Sequence, residues 1–216
     1  MNNQGAASPL TTVYLYGILD LNYVDVLDAA AVARAMIDGG VDIIQLRGKT
    51  HDVEKLSALA AELHAITSNH SVPLIINDHA EVARRVPLEG VHLGQDDISI
   101  AVARKIVERD VIIGKSTHSV AQAAAAQKEG ADYIGYGPLF ATPTKPDYPP
   151  IGLSDIRKVH DAISIPIFCI GGVKKENLPS VISAGAKRVV IVSGLLTAPD
   201  IAQYARACKT LLIADH

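Results

Sequence analysis

Pro166-Ile167-Phe168-Cys169-Ile170-Gly171-Gly172 and, further on, Arg188-Val189-Val190-Ile191-Val192-Ser193-Gly194 each join a short β-branched run to a turn of small residues. Both runs are apolar throughout rather than alternating. That pattern suits parallel strands covered on both faces. Working outward, the same unit recurs at Val13–Leu19, Asp42–Leu46, Pro73–Ile76, Gly90–Leu93, Val111–Gly114 and Tyr133–Gly135. Helical stretches separate the runs. Asp25–Asp38 places apolar residues at Val26, Ala29, Ala30 and Ala33, and Asp52–Thr67 at Val53, Leu56, Leu59, Ala60 and Leu63. Ser119–Glu129 ends at Gly130, and Asn177–Ala184 ends at Gly185, both plausible helix stops. Eight such alternations in 216 residues predict a (β/α)8 TIM barrel, a single domain over residues 13–216 behind a flexible tail at 1–12. An open doubly wound sheet is the rival, but it carries a glycine-rich loop after its first strand. Here the first run ends Gly17-Ile18-Leu19-Asp20. The glycine pairs follow late strands instead, as barrel phosphate sites do.

Composition narrows the function classes. Lys and Arg number 20 against 23 Asp and Glu, a net charge of −3, and aromatics are 4% of the chain. With no basic stripe and few stacking platforms, nucleic acid is not an expected partner. Apolar runs such as Val189–Val192 stop well short of the ~18 residues a membrane span needs. The start, Met1 to Ser8, is polar and small, without the basic and apolar regions of a secretory signal. Cys169 and Cys208 lack metal-type spacing, and the expected location is cytoplasmic. Exposed alanine-rich helices would offer surfaces for a homo-oligomer.

In a barrel, polar residues at the C-terminal strand ends share one pocket. After the second run, Gln45 and Arg47 fall on one side by alternation, with Lys49 beyond them. The amide suits a heterocycle that both donates and accepts, and the two cations suit phosphate or pyrophosphate. Asn77-Asp78-His79 follows the third run and His92-Leu93-Gly94-Gln95-Asp96-Asp97 the fourth. Asp78 and Asp97 would form a pair of carboxylates for a hard cation, in the manner of Mg2+ completed by substrate oxygens and water. Asp97 or Asp96 would equally serve as helix cap. Ser116-Thr117-His118-Ser119 offers hydroxyls for phosphate or capping, and His118 is either a general acid/base or a rim histidine. Thr142, Thr144 and Lys145 lie in the longest irregular segment, 142–151, whose four prolines forbid regular structure. Gly171-Gly172 and Ser193-Gly194 complete a phosphate site after the last two strands. Two phosphate sites point to a two-substrate transfer.

These segments, in this order, resemble the thiamine phosphate synthase family over roughly residues 13 to 205. The resemblance implies transfer of an aminopyrimidine-methyl group from its pyrophosphate ester to the nitrogen of a thiazole phosphate, with one Mg2+. It assigns Gln45, Arg47, Lys49, Asn77, Ser116 and Lys145 to the pyrimidine pyrophosphate, with Arg47, Lys49, Ser116 and Lys145 as the catalytic group. Asp78 and Asp97 would hold the metal. Thr142, Thr144, Gly172, Val192 and Ser193 would hold the thiazole phosphate. His79, Cys169 and Lys187-Arg188 depart from the family's usual residues without removing a ligand. A thiazole tautomerase on the same fold is the nearest alternative, and it has no need of the pyrophosphate and metal set. A non-catalytic metabolite sensor is the alternative outside enzymes.

Overall fold

The computed structural model describes residues 10, 12–142 and 148–214. Eight parallel strands close into a barrel in sequence order: β1 (Leu15–Asp20), β2 (Ile43–Arg47), β3 (Leu74–Asn77), β4 (Gly90–Leu93), β5 (Ile112–Thr117), β6 (Tyr133–Tyr136), β7 (Ile167–Cys169) and β8 (Val189–Ile191). The ring shuts where Leu15 to Gly17 pair with Val189 to Ile191. Helices surround it: α1 (Ala29–Asp38), α2 (Val53–Ser68), α3 (Ala80–Arg85), α4 (Ile100–Val107), α5 (Val120–Lys128), α6 (Ile156–Ala162), α7 (Leu178–Ser183), α8 (Ser193–Leu196) and α9 (Ile201–Ile213). None among the described residues is long and apolar enough to cross a membrane.

Two-residue periodicity divides each strand between two cores. Leu15, Leu19, Ile44, Leu46, Ile76, Val91, Ile134 and Val189 face the helices and join the larger apolar cluster. Tyr16, Ile18, Ile43, Ile75, Tyr133, Phe168 and Val190 fill the barrel interior. Leu10 and Val13 belong to that inner cluster as well, so the expected tail over residues 1–12 includes one fully buried residue, Leu10. Of its other positions Thr12 is exposed, and 1–9 and 11 lie outside the described residues.

Helix starts follow side-chain capping. Asp52, Ser99, Ser119 and Asp200 each accept a hydrogen bond from the N–H three residues on. The helix expected over Asp25–Asp38 begins as a single 3-10 turn at Val26–Asp28, capped by Asp25, before α1. Strand ends differ from expectation in both directions: β7 and β8 stop at Cys169 and Ile191, short of the expected Ile170 and Val192. β1, β2 and β5 continue to Asp20, Arg47 and Thr117, because Asp20 pairs with Arg47 and Thr117 with Tyr136 in the ladder. Polar side chains at these ends sit on paired, rigid backbone rather than in loops.

Candidate active site

One cavity opens at the C-terminal ends of the strands. Gln45 and Arg47 line it from β2, Asn77 from β3, His92 from β4 and Ser116 from β5. Thr142, Gly172, Val192 and Ser193 line its other side. Eight of the residues that the resemblance assigns to substrate, all of these except His92, therefore share one space. Arg47 is held from behind. Its guanidinium is paired with Asp20, which is fully buried at the end of β1. Asp20 also accepts from the Asn22 N–H at 3.0 Å. A buried guanidinium needs such a partner, and the pair fixes where its remaining donors point.

Lys49, Asp78 and Asp97 gather at the rim beside this cavity. The Lys49 ammonium is 3.4 Å from the Asp78 carboxylate. Asp78 has a left-handed backbone (φ 63°), tolerable for aspartate but a sign of local strain. Its carboxyl lies beside that of Asp97. Burial, then the hydrogen bond and charge of Asp97, raise the Asp78 carboxyl above the ordinary range. Burial opposes ionisation of Asp97 too. The hydrogen bonds from Asp78 and the Gly94 N–H, with Lys49 and Lys115 nearby, nevertheless hold its carboxyl below the ordinary range. The opposite directions are those of two close carboxylates that titrate as a pair. Capping is not the task of Asp96 or Asp97. Ser99 caps α4, while Asp97 accepts from the Gly94 N–H at 2.5 Å and pins its own loop.

The β4 and β5 ends are tied together. Lys115 is buried and donates to the Gly94 carbonyl at 2.6 Å, and Gln95 donates to the Ser116 carbonyl at 2.5 Å. The hydroxyl-rich turn divides its work. Ser119 caps α5, Thr117 donates to the Gly135 carbonyl, and Ser116 meets His92 at 2.9 Å. His118 lines the cavity, with Nδ1 2.5 Å from the Gly137 carbonyl. A carbonyl only accepts, so Nδ1 carries a proton. The Tyr148 ring lies against this one, centroids 4.7 Å apart and tilted by 35°, and its hydroxyl donates to Asp96. Thr144 and Lys145 lie outside the described residues.

On the far side the glycines serve packing as well as access. Gly171 and Gly172 both have positive φ, at 93° and 65°. A Cβ on Gly171 would fall 2.3 Å from Pro138, and one on Gly172 2.7 Å from Phe140. The pair lets the β7 turn lie against the loop after β6.

A family model described as thiamine monophosphate synthase matches residues 15–195. The chain belongs to the thiamine monophosphate synthase family. A thiamine-phosphate synthase of Halalkalibacterium halodurans is 45% identical over 183 residues, which cover 84% of this chain and 87% of that protein. One of Shouchella clausii is 40% identical over 194 residues, covering 89% and 93%. Among solved structures, thiamine phosphate pyrophosphorylase from Pyrococcus furiosus superposes with a TM-score of 0.85 at 30% identity, covering 94% of this chain and 96% of that one.

In this member of the thiamine monophosphate synthase family, several site residues escaped the sequence reading. His92 has no role in the sequence pattern, yet it lines the cavity. Asp20 was read as the end of a strand, although counting by twos from Tyr16 puts Tyr16, Ile18 and Asp20 on one inner face beside Gln45 and Arg47. Lys115 and Gln95 act through backbone carbonyls, and no side-chain motif signals such contacts.

Proposed function

We propose that the chain is a thiamine-phosphate synthase: it joins an aminopyrimidine-methyl group, delivered as its pyrophosphate ester, to the nitrogen of a thiazole phosphate. The methylene C–O bond breaks with its electron pair leaving on pyrophosphate, and a C–N bond forms from the thiazole nitrogen lone pair. The observation that carries this reading is the convergence of Gln45, Arg47, Asn77 and Ser116 with Thr142, Gly172 and Ser193 in one cavity, beside the Lys49–Asp78–Asp97 rim. Arg47, Lys49 and Lys145 would draw charge onto the departing pyrophosphate, with Ser116 and Asn77 as further donors. Gln45 would meet the pyrimidine edge. Thr142, Thr144 and the backbone at Gly172, Val192 and Ser193 would seat the second phosphate, where barrels commonly place one. Among the described residues lining the cavity, the titratable groups are Arg47, His92 and His118. A displacement that moves no proton has little need of a strong base, and positioning supplies the rate.

Asp78 and Asp97 suit one Mg2+, which takes one or two carboxylates and completes its shell with water and substrate phosphate. Bound there it would neutralise developing charge on pyrophosphate. Two carboxylates this close mark a position where a cation would relieve their repulsion. Cytoplasmic residence belongs to the same reading, supported by the buried free thiols of Cys169 and Cys208.

The test is incubation with the aminopyrimidine pyrophosphate, thiazole phosphate and Mg2+, following pyrophosphate release and thiamine phosphate formation, with a chelator control. Metal-dependent appearance of both products is expected. Thiazole phosphate binding without pyrophosphate release would overturn the assignment in favour of an isomerase or a sensor.

A further inference from the structure

Across the barrel interior runs an unbroken row of hydrogen bonds. Gln45 Nε2 donates to the Tyr16 hydroxyl at 2.8 Å, and the Tyr16 and Tyr133 hydroxyls are 3.0 Å apart. The Tyr133 hydroxyl is 3.0 Å from His92 Nδ1, and His92 Nε2 is 2.9 Å from Ser116 Oγ. Tyr16, Tyr133 and Gln45 are all but inaccessible. Both ends of the row, Gln45 and Ser116, line the cavity. We propose that this row has a fixed direction, and that Tyr16 and Tyr133 are positioning residues that make the site select a 4-aminopyrimidine over its 4-oxo analogue.

The direction follows from proton counting. Burial pushes both phenols well above their ordinary range, so each keeps its single proton. A neutral phenol donates once. With Gln45 donating to Tyr16, the arrangement that leaves no buried O–H unpaired sends the Tyr16 proton to Tyr133 and the Tyr133 proton to His92 Nδ1. His92 then holds its own proton on Nε2 and donates to Ser116. The Ser116 hydroxyl proton is released toward the cavity. At the other end Tyr16 takes one Gln45 N–H and so fixes which way the amide faces, leaving its carbonyl oxygen and its second N–H for a ligand. The site thus presents an acceptor at Gln45 and a donor at Ser116. An aminopyrimidine answers with an exocyclic N–H and ring nitrogens that accept. A 4-oxo analogue would set oxygen against oxygen at Gln45, and a buried mismatch of this kind is costly. Reversed polarity would present the Gln45 NH2 to the ligand and favour the oxo form.

This inference rests on the pyrimidine reading of Gln45, and its test separates the two. In the full-length, ligand-free protein, 15N NMR of the histidine side chains, with His92 assigned by His92→Gln, reads the tautomer directly. The Nε2–H form is expected, and the Nδ1–H form or an imidazolium would overturn the direction. Tyr16→Phe keeps ring packing against Phe168, 5.5 Å away, and removes only the hydroxyl. It frees the Gln45 amide to turn over, so the ratio of kcat/KM for amino against oxo pyrimidine pyrophosphates should fall by about tenfold. Tyr133→Phe should narrow the same ratio and also shift the His92 tautomer populations. An unchanged ratio in a folded Tyr16→Phe protein would overturn the positioning role. If wild-type protein released no pyrophosphate from either substrate, the function assignment would fail, and the tautomer would still decide the direction of the row.

Discussion

The two sides of the cavity are built from different materials. The β2–β5 side presents side chains: a guanidinium, an amide, an imidazole and a hydroxyl, each held by a partner within the barrel. The β7–β8 side presents Gly171, Gly172, Val192 and Ser193, together with Ile170, Val173 and Val190. One side holds its ligand with charges and directed donors, and the other by letting backbone come close. The difference implies a division of labour. Loss on the first side should strike the chemical step or the supports of the charged groups. Loss on the second should strike fold and phosphate affinity together.

The largest effect tests the support behind Arg47. Asp20→Asn leaves a buried guanidinium facing a neutral amide. Breaking a buried pair this way costs about 3–5 kcal/mol. Denaturant unfolding should show a loss of that order, and pyrophosphate release should fall with it. A variant as stable as wild type would mean that Arg47 is stabilised by solvent from the cavity, and the first side would be less preorganised than its geometry suggests.

Asp78→Ala comes next and separates chemistry from binding. Removing one electrostatic element of a charge-stabilising site lowers kcat by about 10²–10³. Single-turnover pyrophosphate release should drop by that factor, while the thiazole phosphate requirement stays near wild type. A raised thiazole requirement alone would place Asp78 functionally on the wrong side of the comparison.

Gly172→Ala probes the opposite side. The new Cβ meets Phe140 at 2.7 Å and sits on a backbone at φ 65°. The left-handed conformation alone costs about 1–2 kcal/mol for a non-glycine residue. Thermal unfolding should show a destabilisation of at least that order, with KM for thiazole phosphate rising more than kcat falls. If kcat alone fell, the glycine turn would be part of the charged machinery.

Legibility in the sequence divides along similar lines. The eight strand runs were readable because burial on two faces leaves only apolar, β-branched residues, as at Pro166–Ile170. The cavity side chains Gln45, Arg47, Asn77 and Ser116 were readable because unlike polar groups stood at successive strand ends. Strand lengths were not. Lys115-Ser116-Thr117 looks like a loop, yet Leu93 pairs with Lys115 and Tyr136 with Thr117. Tyr16 and Tyr133 look like core, and their rings are core. Only the closure of the barrel brings their hydroxyls together across 117 residues. Supports that act through distant partners leave no local pattern, whereas capping and burial do.

The smallest effect sharpens one such local pattern. In the segment Asp96-Asp97-Ile98-Ser99, the sequence offers Asp97 or Asp96 as a cap for α4, in competition with metal binding. Ser99 makes the bond to the Val102 N–H, and Asp97 turns back to Gly94. Ser99→Ala should therefore cost about 1 kcal/mol, the ordinary loss of a cap. It should leave pyrophosphate release unchanged, since Ser99 does not line the cavity. Asp97→Asn should do the reverse: little change in α4, and a slower chemical step with weaker dependence on Mg2+. If the two variants exchanged these signatures, Asp97 would be a cap. The rim would then lose one of its two carboxylates, and with it the main reason for placing a metal beside the charged half of the cavity.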